Sequence, residues 1–165
     1  MDQYSNEGIL KNVIDRDGYT LKKLKDDVAV ELFIEPEWIP FHTNVEQKMD
    51  IILAENDNTN IHLVEVWNRG NDIYFSFDTT YNLDYNRGKF LYNVLFNEDG
   101  SFTHSSSSHV FTLYTKDGVP IEWGQSGVGP NSAFGVAVDD SNYDLIKNGF
   151  YIKYSGFYLY EYEKN

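Results

Sequence analysis

Four histidines, His42, His62, His104 and His109, are the imidazoles of this chain, and there is no cysteine. Thiolate chemistry, disulfides and thiolate-bound zinc are therefore excluded. His104 and His109 bracket the serines of "HSSSSH". They meet only across a tight loop, and a transition metal there needs a further ligand. A pair of exposed loop histidines is the plainer reading, and no metal is expected. "ENDNTN" alternates oxygen ligands but lacks the glycine and terminal Glu of a calcium loop. Asp139, Asp140 and Asp144 in "DDSNYD" remain the place where Ca²⁺ would suit a sandwich rim.

For nucleophilic catalysis, Ser126 stands between glycines in "WGQSGVGPNS". Val128 occupies the position where a nucleophile elbow needs glycine, and no helix pattern follows. No histidine has a sequence context that marks it as a base. Glu65 in "LVEVW" and Glu122 in "PIEW" are carboxylates flanked by apolar residues. A glycan hydrolase would need two such groups facing across a cleft, whereas the ordinary place for each is the solvated face of an edge strand. The glycines of "GQSGVGPNS" come without the lysine of a phosphate loop. No cofactor is expected.

Aromatic side chains carry the strongest binding signal. Trp38 sits between prolines in "EPEWIPF", Trp67 ends a strand pattern, and Trp123 opens the glycine-rich loop. Tyr81 and Tyr85 lie in "TTYNLDYNRG". Such residues stack on sugar faces or anchor protein partners, because they combine large area with few rotatable bonds. Aromatics make up 16% of the chain, and the segment "FYIKYSGFYLYEY" concentrates them.

The elements that must position these groups are mostly strands. Ile9, Leu10, Val13 and Ile14 form one face of a short helix, with Ser5 or Asn6 as its cap. "YTLKKLKDD" fits a helical turn or a strand. From Val28 the apolar period is two. "KFLYNVLF" is apolar on both faces, which predicts a central strand. "NEDGS" and "TKDGV" each place Asp-Gly between strand patterns, which predicts a type I turn followed by a left-handed Gly100 or Gly118. Phe90–Phe96 and the strands after it then form a meander. The pattern predicts an all-β antiparallel β-sandwich, jelly-roll-like or a partly closed barrel, of eight to ten strands with a short N-terminal helix. One domain spans residues 1–165, with residues 1–27 as a helical or irregular segment packed on it.

"FYIKYSGFYLYEY" reads as a hairpin turning at Ser155-Gly156, or as one long strand bulged at Gly156. Either way Phe150, Ile152, Tyr154, Phe157 and Leu159 share a core face. Tyr151, Tyr158, Tyr160 and Tyr162 share the other, and they form a platform only if nothing covers them.

Acids outnumber bases, 26 to 13, so the formal net charge is −13. That field repels nucleic-acid phosphates and anionic membranes and attracts a basic partner. Met1-Asp2-Gln3-Tyr4 shows no basic n-region or apolar h-region, which predicts a cytoplasmic protein; removal of a leader would make it secreted. No apolar run approaches the roughly 20 residues that span a bilayer. No stretch carries a family signature. The expected function is a non-enzymatic acidic binding protein that occupies a basic or mixed partner surface, of inhibitor, immunity or anti-defence type. The alternative is a carbohydrate-binding module using Trp38, Trp67 and Trp123. The third is a glycan-directed hydrolase with paired carboxylates.

Overall fold

The structure, a computed structural model, describes residues 2–104, 110–129 and 132–165, with the backbone alone of His104. Helix α1 (Asn6–Ile14) starts at Ser5, whose hydroxyl accepts from the Gly8 amide at 3.0 Å. Its Ile9 and Val13 are buried. Strand β1 (Tyr19–Ile34) follows, then a 3₁₀ turn at Pro36–Trp38. Next come β2 (Glu46–Asn56), β3 (Thr59–Asn68) and β4 (Asp72–Tyr81). The short β5 (Arg87–Tyr92), β6 (Val94–Phe96), β7 (Phe102–His104), β8 (Phe111–Thr115), β9 (Pro120–Ile121) and β10 (Ser126–Val128) succeed them. Strand β11 (Phe134–Asp139), helix α2 (Tyr143–Ile146) and β12 (Phe150–Lys164) complete the chain.

All pairings among the described residues are antiparallel. The first sheet runs β1-β12-β8-β9, with β5 beside the second half of β12. The second runs β10-β11-β4-β3-β2. Neither closes into a barrel, and their inner faces pack on one another as a sandwich. The main core joins Leu32, Ile34, Phe150 and Ile152 of the first sheet to Leu63, Val66, Phe75 and Val136 of the second. Phe134 stacks on Tyr154 with ring centroids 4.0 Å apart, and Phe75 meets Phe150 edge-on at 5.2 Å. Offset and edge-on ring contacts each add roughly 0.5–1.5 kcal/mol beyond area burial.

Both Asp-Gly turns have the expected geometry. Gly100 and Gly118 take φ of +89° and +84°. The Asn97 and Thr115 amides donate to the Ser101 and Val119 carbonyls, closing the β6–β7 and β8–β9 hairpins. Four expectations need correction. Residues 19–27 belong to β1 rather than to an irregular segment, because they pair with β12 from Tyr19↔Lys164 onward. "KFLYNVLF" breaks at Asn93, which leaves the ladder to serve a buried polar knot. Its amide donates to Ser132 Oγ at 2.9 Å and its Nδ2 to the Tyr154 hydroxyl at 3.3 Å. The meander is also divided, since β6–β7 form a sheet of their own.

The fourth correction concerns Ser155-Gly156, where the hairpin reading fails and the alternative of one long bulged strand holds. β12 is one strand, and it carries one residue more than β1 between the pairs Val30↔Tyr154 and Val28↔Phe157. This bulge swaps the faces of the strand. Phe150, Ile152, Tyr154 and Phe157 are in the main core, with Leu159 packed against it. Tyr160 and Tyr162 instead enter a second cluster with Phe90, Tyr92 and Tyr19, capped by Ile9 and Val13 of α1. β1 changes face in step, through its own bulges between Lys23 and Val28. The N-terminal helix therefore covers the half of the outer tyrosine face that β5 borders.

Candidate functional site

Four of the nine aromatic candidates are structural, wholly or in large part. Tyr81, Tyr160 and Tyr162 are 8%, 1% and 1% exposed, so they present no binding surface. Their hydroxyls hold the second cluster together. Tyr160 donates to the Val94 carbonyl at 2.7 Å and accepts from the Phe96 amide at 3.0 Å. Tyr162 donates to the Asp84 carbonyl at 2.6 Å, and Tyr81 to the Leu91 carbonyl at 2.8 Å. Burial pushes the Tyr160 and Tyr162 phenols up to about 12. Tyr158 is half-buried at the rim of the cluster, with the Lys23 ammonium 5.8 Å from its ring.

Trp38 and Trp123 are half-buried against the main core. The Trp123 indole donates to the Phe111 carbonyl at 3.2 Å. Tyr85 packs on Tyr4 at 4.5 Å and beneath the Lys164 ammonium at 4.9 Å, fastening the two chain ends together. Tyr151 lies on the open half of the first sheet's outer face. It stacks on Tyr114 at 5.3 Å and meets Phe33 at 4.9 Å.

Trp67 differs from the other tryptophans by lying on the outer face of the second sheet. One cross-strand row reads Glu46–Trp67–Tyr74–Ala137, and the next reads Lys48–Glu65–Ser76–Gly135–Gly127. Tyr74 lies flat over the glycines. A Cβ on Gly135 would come within 2.5 Å of its hydroxyl oxygen. The Arg69 guanidinium sits 4.9 Å from the Tyr74 ring and 5.9 Å from Trp67. It is fixed by two bonds to the Asp72 carboxylate, at 2.7 and 2.6 Å, and a third to Gln125 at 3.1 Å. Planar guanidinium on aromatic rings, locked bidentately, makes a rigid shelf. Burial pushes the Tyr74 phenol up, against the opposing pull of Arg69.

Charge completes this face. Alternation and register put Glu46, Asp50, Glu55, Glu65, Asp72, Asp78 and Asp139 on the outer side of the sheet, with Lys48 as the one lysine of its strands. Clustered carboxylates make a strongly negative surface. Glu65 belongs to this face, whereas Glu122 follows β9 of the other sheet. Ser126 lies on the exposed edge strand β10 rather than in an irregular loop. Among the described residues no group of three or more His, Asp or Glu could hold a metal ion, and Asp139, Asp140 and Asp144 are not such a group. His109 lies outside the described residues. No helix among them is long and apolar enough to cross a membrane.

Arg69, Tyr74, Phe33 and Tyr114 were not foreseen. The signal for Tyr74 was the alternation of "DIYFSF", which puts it opposite Phe75 and level with the end of "LVEVW". Comparison of the chain with protein-family models, curated proteins and solved structures finds no match.

Proposed function

We propose that the protein is an acidic binding protein that docks a basic or mixed partner protein on the outer face of its second sheet, in the cytoplasm, as an inhibitor, immunity or anti-defence protein does. What carries this reading is the convergence of the Trp67–Arg69–Tyr74 shelf with seven carboxylates on one face. The rigid rings serve as anchors and the carboxylates steer and orient the partner. The opposite face supports a second reading. Its row Phe33–Tyr151–Tyr114 has Lys116 over Phe33 at 5.2 Å and Glu31 bonded by the Tyr114 hydroxyl, which suits a glycan.

The test is to recover the partner at low salt from cells that make the protein and to titrate it against variants. Affinity should fall at least about tenfold between about 50 and about 300 mM salt, as screening shortens the field. Trp67→Ala and the double change Glu46→Lys, Glu65→Lys should each weaken it further, while Tyr151→Ala should leave it unchanged. Salt-independent affinity, or loss on Tyr151→Ala alone, would refute the reading. Glycan-array binding abolished by Tyr151→Ala would favour the second.

A further inference from the structure

A side-chain set on the same sheet, sharing only Asp50 with the carboxylates above, points to chemistry. Asp50 on β2, His62 on β3 and Thr80 on β4 form a continuous chain of hydrogen bonds. The Asp50 carboxylate is 2.6 Å from His62 Nδ1, and His62 Nε2 is 2.7 Å from the Thr80 hydroxyl oxygen. The direction of these bonds follows from chemistry. A carboxylate only accepts, so Nδ1 carries the proton. In the neutral ring Nε2 is then a bare lone pair, and the Thr80 hydroxyl must donate to it. The imidazole is held from both sides, with 12% of the side chain exposed.

Asp50 reaches this position through a bulge. β2 runs three residues from Lys48 to Ile51 while β3 runs two, from Glu65 to Leu63, and the extra residue re-aims the carboxylate. Thr80 also borders a cleft of about 620 Å³ between the end of β4 and α1. Leu10 and Ile14 give the cleft an apolar wall, and Asn6, Glu7, Lys11 and Asp15 give it polar and charged groups of both signs. The Asn60 side-chain amide approaches the Thr80 oxygen at 3.5 Å.

We infer that Asp50, His62 and Thr80 form an acyl-transfer relay, with the Thr80 hydroxyl as nucleophile toward small carboxylic esters whose acyl chain lies along Leu10 and Ile14. Thr80 Oγ1 bonds to the ester carbonyl carbon as its proton passes to His62 Nε2, and the carbonyl π pair moves onto oxygen. Collapse of that adduct breaks the bond to the leaving alkoxide, which takes the proton from Nε2 and departs as an alcohol. Water, deprotonated by the same Nε2, then attacks the acyl-threonine, and Thr80 leaves with the returned proton. The products are an alcohol and a carboxylic acid. Asp50 is a positioning residue, and its side chain is 77% exposed. Its effect should therefore be smaller than that of the base.

This relay does not rest on partner docking and is tested apart from it. The probe is p-nitrophenyl butyrate, followed by p-nitrophenolate release and by peptide mapping for a butyryl adduct. The adduct should map to Thr80. Thr80→Ala and His62→Ala should each cut the rate about 100-fold, Asp50→Asn should cut it less, and Thr80→Ser should retain it. Thr80→Val, which keeps the side-chain shape, should be as inactive as Thr80→Ala while unfolding at the wild-type temperature. An undiminished rate in Thr80→Val, or an adduct found only on lysine or tyrosine side chains, overturns the proposal and leaves the three residues a cross-strand polar row.

Discussion

Raising the pH should unfold this protein through its buried tyrosines. Tyr154, Tyr160 and Tyr162 are each 1% exposed, and burial pushes each phenol up to about 12. An unfolded tyrosine ionises near 10. Between those values the unfolded chain releases protons that the folded chain keeps, so stability falls as pH rises and is fully present below about 10. Two units correspond to about 3 kcal/mol per residue. Three residues together lose about 9 kcal/mol, which is comparable to the roughly 5–15 kcal/mol that holds an ordinary domain together. The assay follows phenolate absorbance and far-ultraviolet circular dichroism in one titration. Phenols outside this buried group should ionise first with the dichroism unchanged. The buried group should follow in one step with loss of β signal, between about pH 10 and 12. Tyr162→Phe removes one ionisation and should move that step to higher pH, which separates it from lysine titration. Ionisation of every tyrosine near pH 10 with the sheet signal intact would refute the reasoning.

Three further outcomes are expected. Tyr160→Phe strips the Val94 carbonyl and the Phe96 amide of their partner, and should cost about 1–3 kcal/mol in urea unfolding at neutral pH. Gly118→Ala meets open space but keeps φ at +84°. It should cost about 1 kcal/mol, seen as a fall of about 2–4 °C in Tm. Gly135→Ala displaces Tyr74, the movable end of a surface side chain. Stability should change by less than about 1 kcal/mol, while tryptophan fluorescence and partner affinity both change as the shelf beside Trp67 is lost.

Local chemistry was legible in the chain. Asp-Gly followed by a strand pattern specifies its turn within five residues, and both turns formed. The cap at Ser5 and the spacing of Ile9 and Val13 specify α1 equally locally. The division of the terminal aromatics into two faces was also legible, although the device was not. A two-residue turn and a one-residue bulge both reverse the parity of a strand, so the pattern alone does not separate them. The break at Asn93 was hidden because its partners, Ser132 and Tyr154, lie 39 and 61 residues away. The surface sites were hidden for the same reason. Trp67 gains Tyr74 and Arg69 only through cross-strand register, and His62 gains Asp50 and Thr80 from neighbours 12 and 18 residues distant, one of them re-aimed by a bulge. Tyrosines assigned to loops or to an open face were drawn inward because α1 supplies an apolar cover for them.

The bulge at Ser155 and Gly156 makes β12 sensitive to the parity of its length. The Tyr154 ring folds back over Gly156, where an added Cβ would come within 2.4 Å of the hydroxyl oxygen. Deleting a single residue there would remove the bulge, leaving Tyr154 and Phe157 two apart to match Val30 and Val28 of β1, so every remaining side chain would keep its own side. Deleting two residues would turn the second half of the strand over, sending Tyr160 and Tyr162 toward the sandwich and Phe157 toward α1. A length series across this junction should therefore stay folded at one residue shorter and unfold at two. The junction also links the order of the two cores, since neither can accept its half of β12 unless the other half has found its own side.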